Sequence, residues 1–134
     1  MRFIAALLVA VSLAACDAPA TQPGPASPLL DQVISEVVDQ ANADRGSRLD
    51  GGMIVDGASA EGNTVFINFI LTEDLEMLRS VPRAQLEALL GQATRADACL
   101  NPSIATFISI GGRLQMNFID PARRPLAAVL IDRC

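Results

Sequence analysis

Met53-Ile-Val-Asp-Gly-Ala-Ser-Ala-Glu-Gly-Asn-Thr-Val-Phe-Ile-Asn-Phe-Ile-Leu71 is the stretch on which the reading of the fold turns. Met53 to Ala60 and Thr64 to Leu71 are rich in β-branched and aromatic residues, and Glu61-Gly62-Asn63 between them supplies the turn conformations a hairpin needs. Val65, Ile67, Phe69 and Leu71 alternate onto one face. Phe66 and Ile70 on the other are apolar too, which predicts a second strand inside the sheet or beneath a covering helix. Asn68 is the odd residue of that face, and a satisfied amide in a half-covered strand is the preferred account of it.

Outward from this hairpin the period changes. Upstream, Leu30, Val33, Ile34, Val37, Val38 and Ala41 recur at three- and four-residue steps, which predicts an amphipathic helix opened by Ser27-Pro28 and stopped near Gly46. Downstream, Thr72, Glu73, Asp74 and Glu76 mark an acidic helix start, and a short helix is expected to run to Arg79. Ser80-Val81-Pro82 restarts the pattern, and Leu86, Leu89, Leu90 and Ala93 place a longer helix that reaches toward Ala98. Residues 102–110 fit helix spacing (Ile104, Phe107, Ile108) and strand spacing (Ile104, Thr106, Ile108, Ile110) alike. Asn101-Pro102 as an opening and Gly111-Gly112 as a close favour a short helix.

Arg113 to Ile119 and Leu126 to Asp132 then form a second hairpin across Asp120 to Pro125. Leu114, Met116 and Phe118 face the core, and Arg113, Gln115 and Asn117 face outward, the alternation of a sheet with one wet side. The order helix, β-hairpin, helix, β-hairpin predicts an α+β domain with an antiparallel sheet of about four strands and the helices on one face.

Ahead of the domain, Arg2 precedes an uncharged apolar run from Phe3 to Val11 and then small residues up to Cys16. This is the anatomy of an export signal, too short for a spanning helix. An ordinary cleaved signal or an uncleaved apolar anchor would share its charge and apolar run. Leu13-Ala14-Ala15-Cys16, however, resembles the lipobox of bacterial lipoproteins. That resemblance implies a diacylglycerol on the Cys16 sulfur, cleavage before Cys16, and acylation of the new amino terminus. Residues 1–15 are then the signal peptide, 16–28 the lipidated cysteine and a proline-rich tether, and 29–134 a single domain. The resemblance covers these first residues only. Several acyl chains hold a protein on a bilayer almost permanently, since each buried methylene is worth about 0.8 kcal/mol.

The tether has prolines at 19, 23, 25 and 28 and almost nothing large enough to bury. Extended at about 3.1 Å per residue, ten such residues would hold the domain roughly 30 Å from its anchor. Asp17, directly after the cysteine, matches a residue that in enteric lipoproteins favours retention in the inner membrane, which leaves inner and outer membrane both open. The expected place is the periplasmic side of a bacterial membrane.

With Cys16 taken by lipid, Cys99 and Cys134 remain as an even pair in an exported chain, and a disulfide between them is the economical arrangement. Two free thiols or intermolecular bridges are the others.

The chain of 134 residues carries a formal net charge of −5 and has no Lys, His, Trp or Tyr, so every positive side chain is Arg. Nucleic acid is not an expected partner. Nucleophile activation by His, imidazole metal sites and Schiff bases are all excluded by composition. No cofactor and no metal site is expected. Glu73, Asp74 and Glu76 lack the alternating ligands and turn glycine of a calcium loop and read as a solvated first turn.

These features favour a membrane-anchored, non-catalytic accessory protein that binds an envelope protein. Its partner surface would be the wet face with Arg113, Gln115 and Asn117, or the loop with Arg123 and Arg124, whose guanidiniums suit carboxylates or phosphates. A second expectation is a small-ligand or lipid groove lined by Phe66, Ile70, Leu86 and Phe107. The third, least favoured, is a cell-wall hydrolase running on carboxylates such as Asp56, Glu61, Asp120 and Asp132.

Overall fold

The computed structural model describes residues 27–134, so the export signal, Cys16 and nearly all of the tether lie outside the described residues. Helix α1 (Pro28–Ala43) leads into β1 (Arg48–Leu49), β2 (Met53–Glu61) and β3 (Thr64–Leu71). Three helices follow, α2 (Leu75–Ser80), α3 (Arg83–Leu100) and α4 (Pro102–Ser109), before β4 (Arg113–Ile119) and β5 (Pro125–Ile131) close the chain.

The strands form one five-stranded sheet in the order β1-β2-β3-β4-β5. It is mixed, not the antiparallel four-stranded sheet expected. Both hairpins form, but β4 lies beside β3 and parallel to it, with Val65 opposite Leu114, Ile67 opposite Met116 and Phe69 opposite Phe118. Parallel neighbours need a long crossover, and residues 72–112 with their three helices provide it. Alternation along a strand tells which face a residue takes and not which strand lies alongside. The fifth strand is the two-residue β1, in a segment that reads as a turn.

Register between the two hairpins is fixed at one end of the sheet. Asn63, in the β2–β3 turn, donates from Nδ2 to the Gly111 carbonyl at 2.8 Å, and its own carbonyl accepts from the Arg113 amide at 2.9 Å. Gly112 beside it has no room for a side chain. A Cβ there would stand 2.2 Å from the ring of Phe107, which is itself 1% exposed.

The core lies between the helices and one face of the sheet. Leu30 and Ile34 of α1, Leu86 and Ala98 of α3, and Phe107 and Ile108 of α4 pack on Val55, Val65, Phe69, Leu71, Leu114, Phe118, Ala127, Val129 and Ile131. The Phe69 and Phe118 rings stack across the parallel pair with centroids 5.7 Å apart.

The ambiguous segment 102–110 is helical. Asn101 caps it, with its Oδ1 accepting from the Ser103 amide at 2.9 Å and the Ile104 amide at 3.4 Å. Ser27 differs from expectation. It precedes α1, and its carbonyl accepts the helix's first bond from the Asp31 amide, but its hydroxyl makes no cap. The acidic cluster also starts its helix later than Thr72 suggests, because Asp74 holds a left-handed φ of 53° and α2 begins at Leu75.

Cys99 and Cys134 are joined, with Cα atoms 5.6 Å apart, so the last turn of α3 is tied to the chain just past β5. Closing a loop of 35 residues removes about 3–4 kcal/mol of unfolded-state freedom in the chain-entropy model.

Two outcomes follow for stability. Replacing both Cys99 and Cys134 by Ser should lower the unfolding free energy by about 2–5 kcal/mol in denaturant titration. Gly112→Ala should cost about 1–3 kcal/mol, because Phe107 is held on all sides and cannot give way. Gly62→Ala serves as the control. Its Cβ meets nothing within 4 Å, so only the backbone penalty of its positive φ applies there.

Candidate functional site

Sheet parity leaves one face without helices. Ile54, Phe66, Asn68, Ile70, Gln115, Asn117, Ile119, Ala128 and Leu130 are half-buried, and none belongs to the core packed beneath the helices. Arg113 stands exposed at one end of this face and makes no ion pair among the described residues.

The centre of the face is a line of amides. Gln115 Nε2 donates to Asn117 Oδ1 at 3.0 Å, and Asn117 Nδ2 donates to Asn68 Oδ1 at 3.0 Å across the parallel pair. Register dictates the last contact, since Asn68 and Asn117 are direct neighbours. Chaining the amides leaves an acceptor, Gln115 Oε1, at one end and a donor, Asn68 Nδ2, at the other. Apolar side chains flank both sides. A surface so divided suits a protein segment with an apolar flank and a polar seam.

The structure brings Arg113, Gln115 and Asn117 together on one strand face and places Arg123 and Arg124 elsewhere. Both of these belong to the β4–β5 turn and are engaged by carboxylates of the chain. Arg123, at a left-handed φ of 61°, forks onto Asp56 with contacts of 2.7 and 3.0 Å, which joins the turn to β2 across the intervening β3. The pair raises the Arg123 guanidinium further above its ordinary value, chiefly through those hydrogen bonds.

Asp120 is the one buried charged residue among those described, with 0% exposure. Its Oδ1 accepts from the Arg124 amide at 2.9 Å, and its Oδ2 accepts from Arg124 Nε at 2.7 Å and Arg79 at 2.5 Å. The Arg124 amide is the largest cause that holds its carboxyl down to about 2, with the two guanidiniums adding to it and burial opposing. Buried carboxylates survive only when paired and hydrogen-bonded in this way. The arrangement fixes the turn and anchors α2 to the sheet through Arg79. Sequence reading missed Arg79 and the depth of Asp120, for which Asp120-Pro-Ala-Arg-Arg carried only a turn signal.

Of the four carboxylates considered for catalysis, Asp56 and Asp120 are thus engaged by arginines, and Asp120 is held ionised, the reverse of a general acid. Glu61 sits exposed at the β2–β3 turn, and Asp132 lies beyond β5, its Oδ1 4.0 Å from Arg133. The groove expected from Phe66, Ile70, Leu86 and Phe107 does not form. Phe66 and Ile70 lie on the open face, while Leu86 and Phe107 are buried under the other.

A different groove lies between α3 and β5, with a volume of about 690 Å³, bordered by Glu87, Gly91, Arg95 and Ala128 to Leu130. Among the described residues no group of three His, Cys, Asp or Glu side chains is placed to hold a metal ion, and no helix is long and apolar enough to cross a membrane.

No family model matches the sequence, and no curated protein does. The fold itself has solved counterparts. A protein of Pseudomonas aeruginosa superposes with a TM-score of 0.60 at 19% identity, over 78% of this chain and 89% of its own. The type II secretion system pilotin AspS of Vibrio cholerae gives 0.59 at 17%, over 77% and 88%. EpsS, the pilotin of the Vibrio vulnificus type 2 secretion system, gives 0.54 at 16%, over 75% and 88%. At these identities the likeness is one of fold.

The Asp120 cluster makes a prediction in pH. Its folded-state carboxyl titrates near 2 against an ordinary 3.8, so its stabilisation is complete above about pH 4 and is lost as pH falls through 2. Asp120→Asn should therefore unfold more readily than wild type at pH 7, and the gap between them should narrow between pH 4 and pH 2. Urea titrations of both proteins across that range measure it.

Proposed function

We propose that this protein is a lipid-anchored, non-catalytic accessory protein of the bacterial envelope, of the pilotin kind, which holds a partner protein on the open face of its sheet. The observation that carries the reading is the fold shared with two type II secretion pilotins. It is supported by an amino-terminal stretch with the anatomy of an export signal, whose Leu13 to Cys16 resemble a lipobox, and by a proline-rich segment long enough to lift the domain off a bilayer.

The physical task of such a protein is attachment. Acyl chains on Cys16 supply the membrane affinity, the tether supplies reach, and the disulfide-tied domain supplies a rigid face whose side chains lose little freedom on binding. Ile54, Phe66, Ile70, Ile119 and Leu130 provide the desolvated contact. The amide line of Asn68, Asn117 and Gln115 fixes the register of what binds there, because a partner that leaves those groups unpaired incurs their desolvation cost.

In the native bacterium the wild-type protein should sediment with membranes and Cys16→Ser should move to the soluble periplasmic fraction. A photo-crosslinking residue at Phe66 should capture an envelope protein, and the same residue at Leu29, which is exposed on α1, should not. Loss of the protein should impair export by a type II secretion system and Cys16→Ser should fail to restore it. Equal sedimentation of the two forms, or unaltered export in the deletion strain, would contradict the proposal.

A further inference from the structure

The outer edge of β5 is hydrogen-bonded by side chains where a sixth strand would lie. Glu87 Oε1 on α3 accepts from the Ala128 amide at 3.0 Å, and two turns along the helix Arg95 donates to the Leu130 carbonyl at 3.4 Å. In an antiparallel pair the backbone groups of alternate residues point to the same side. The Ala128 carbonyl and the Leu130 amide are therefore turned outward as well, and no protein group bonds either among the described residues. Beside this edge runs the groove of about 690 Å³, and its helical wall is cut back by Ala88, Gly91 and Ala96.

Its two charged residues differ. Glu87 is already held by Arg83 Nε at 2.8 Å, and that contact, followed by the Ala128 amide, keeps its carboxyl below the ordinary range. It can leave the strand without losing its cation. Arg95 has only the long contact to a carbonyl and no carboxylate within 4.0 Å among the described residues. A guanidinium at a strand edge with no carboxylate beside it has its planar donors available to one carried by an incoming chain.

We propose that the α3–β5 groove is a strand-addition site, which takes an extended, carboxylate-bearing peptide segment of a partner protein along β5, with Glu87 as its displaceable plug and Arg95 as its anion contact. The incoming backbone bonds the Ala128 and Leu130 groups as a sixth strand, as edge-binding modules do elsewhere. Glu87 swings back to Arg83, and the peptide carboxylate forks onto Arg95. The site is separate from the open sheet face and does not depend on the pilotin reading, since any partner with such a segment would serve.

The test uses the full acylated protein in detergent micelles, 15N-labelled, with the probe acetyl-Val-Thr-Val-Glu-Val-amide. Binding should slow hydrogen exchange at the Leu130 amide and leave the side-chain amides of Asn68 and Gln115 unshifted. N-methylating the Thr and Glu amides, or else the alternate Val amides, should abolish binding in one of the two peptides and spare it in the other. Glu87→Ala should raise affinity several-fold, which a simple contact residue would not do, and Arg95→Glu should lower it about ten-fold. Gly91→Leu, which fills the groove, should block binding while circular dichroism shows the fold retained. Binding insensitive to both methylation patterns, binding unchanged or weakened in Glu87→Ala, or no binding by wild type at millimolar probe would overturn the proposal.

Discussion

Two strands that point the same way cannot be joined by a turn, and the parallel contact between β3 and β4 shapes the rest of this domain. It sends the chain across the sheet through α2, α3 and α4, and those helices, with α1, are what cover the core. It sets Phe69 on Phe118 within the core and Asn68 on Asn117 outside it. One register therefore fixes both the stacking that stabilises the domain and the polar line on its open surface. Asn63 and Gly112 guard that register at the end where the two hairpins meet.

Much of this was legible in the residues, and the gaps have physical causes. The α1 stripe, the alternation of Leu114, Met116 and Phe118 and the two hairpin turns are local signals or parity arguments and appear where expected, and Cys99 and Cys134 pair as their even number suggests. The α3 stripe is narrower than expected: Leu86 and Leu90 turn inward, while Leu89 and Ala93 face solvent. Pairing between distant strands is not local. Nothing in Thr64 to Leu71 or Arg113 to Ile119 states that these segments lie together, so an antiparallel sheet of two simple hairpins fits the same pattern. Asn101 could be recognised as a cap because its side chain faces its own helix. Ser27 could not be refuted without knowing where its hydroxyl points.

The surface residues divide the same way. Arg113, Gln115 and Asn117 could be assigned to one face from alternation alone, whereas the partners of Arg123 and Arg124 come from β2 and from the turn itself. A chain with Arg as its only cation uses it for more than solubility. The forked Arg123 on Asp56 and the single contacts of Arg124 and Arg79 on Asp120 lock the β4–β5 turn with donors that stay charged at any physiological pH.

Beyond the two-residue β1, the border of β2 is met by a neutral group. Asn42, at the end of α1, donates to the Ala58 carbonyl at 3.0 Å and accepts from the Ala58 amide at 2.9 Å, so its side-chain amide imitates a neighbouring peptide unit on β2. Ser47 and Gly46 do the same for Val55 with backbone atoms. Cross-β polymerisation requires two sticky borders per subunit, one to receive and one to offer. With β2 so occupied, only the two residues of β1 remain on offer along this border, too short a strand to propagate a stack of copies.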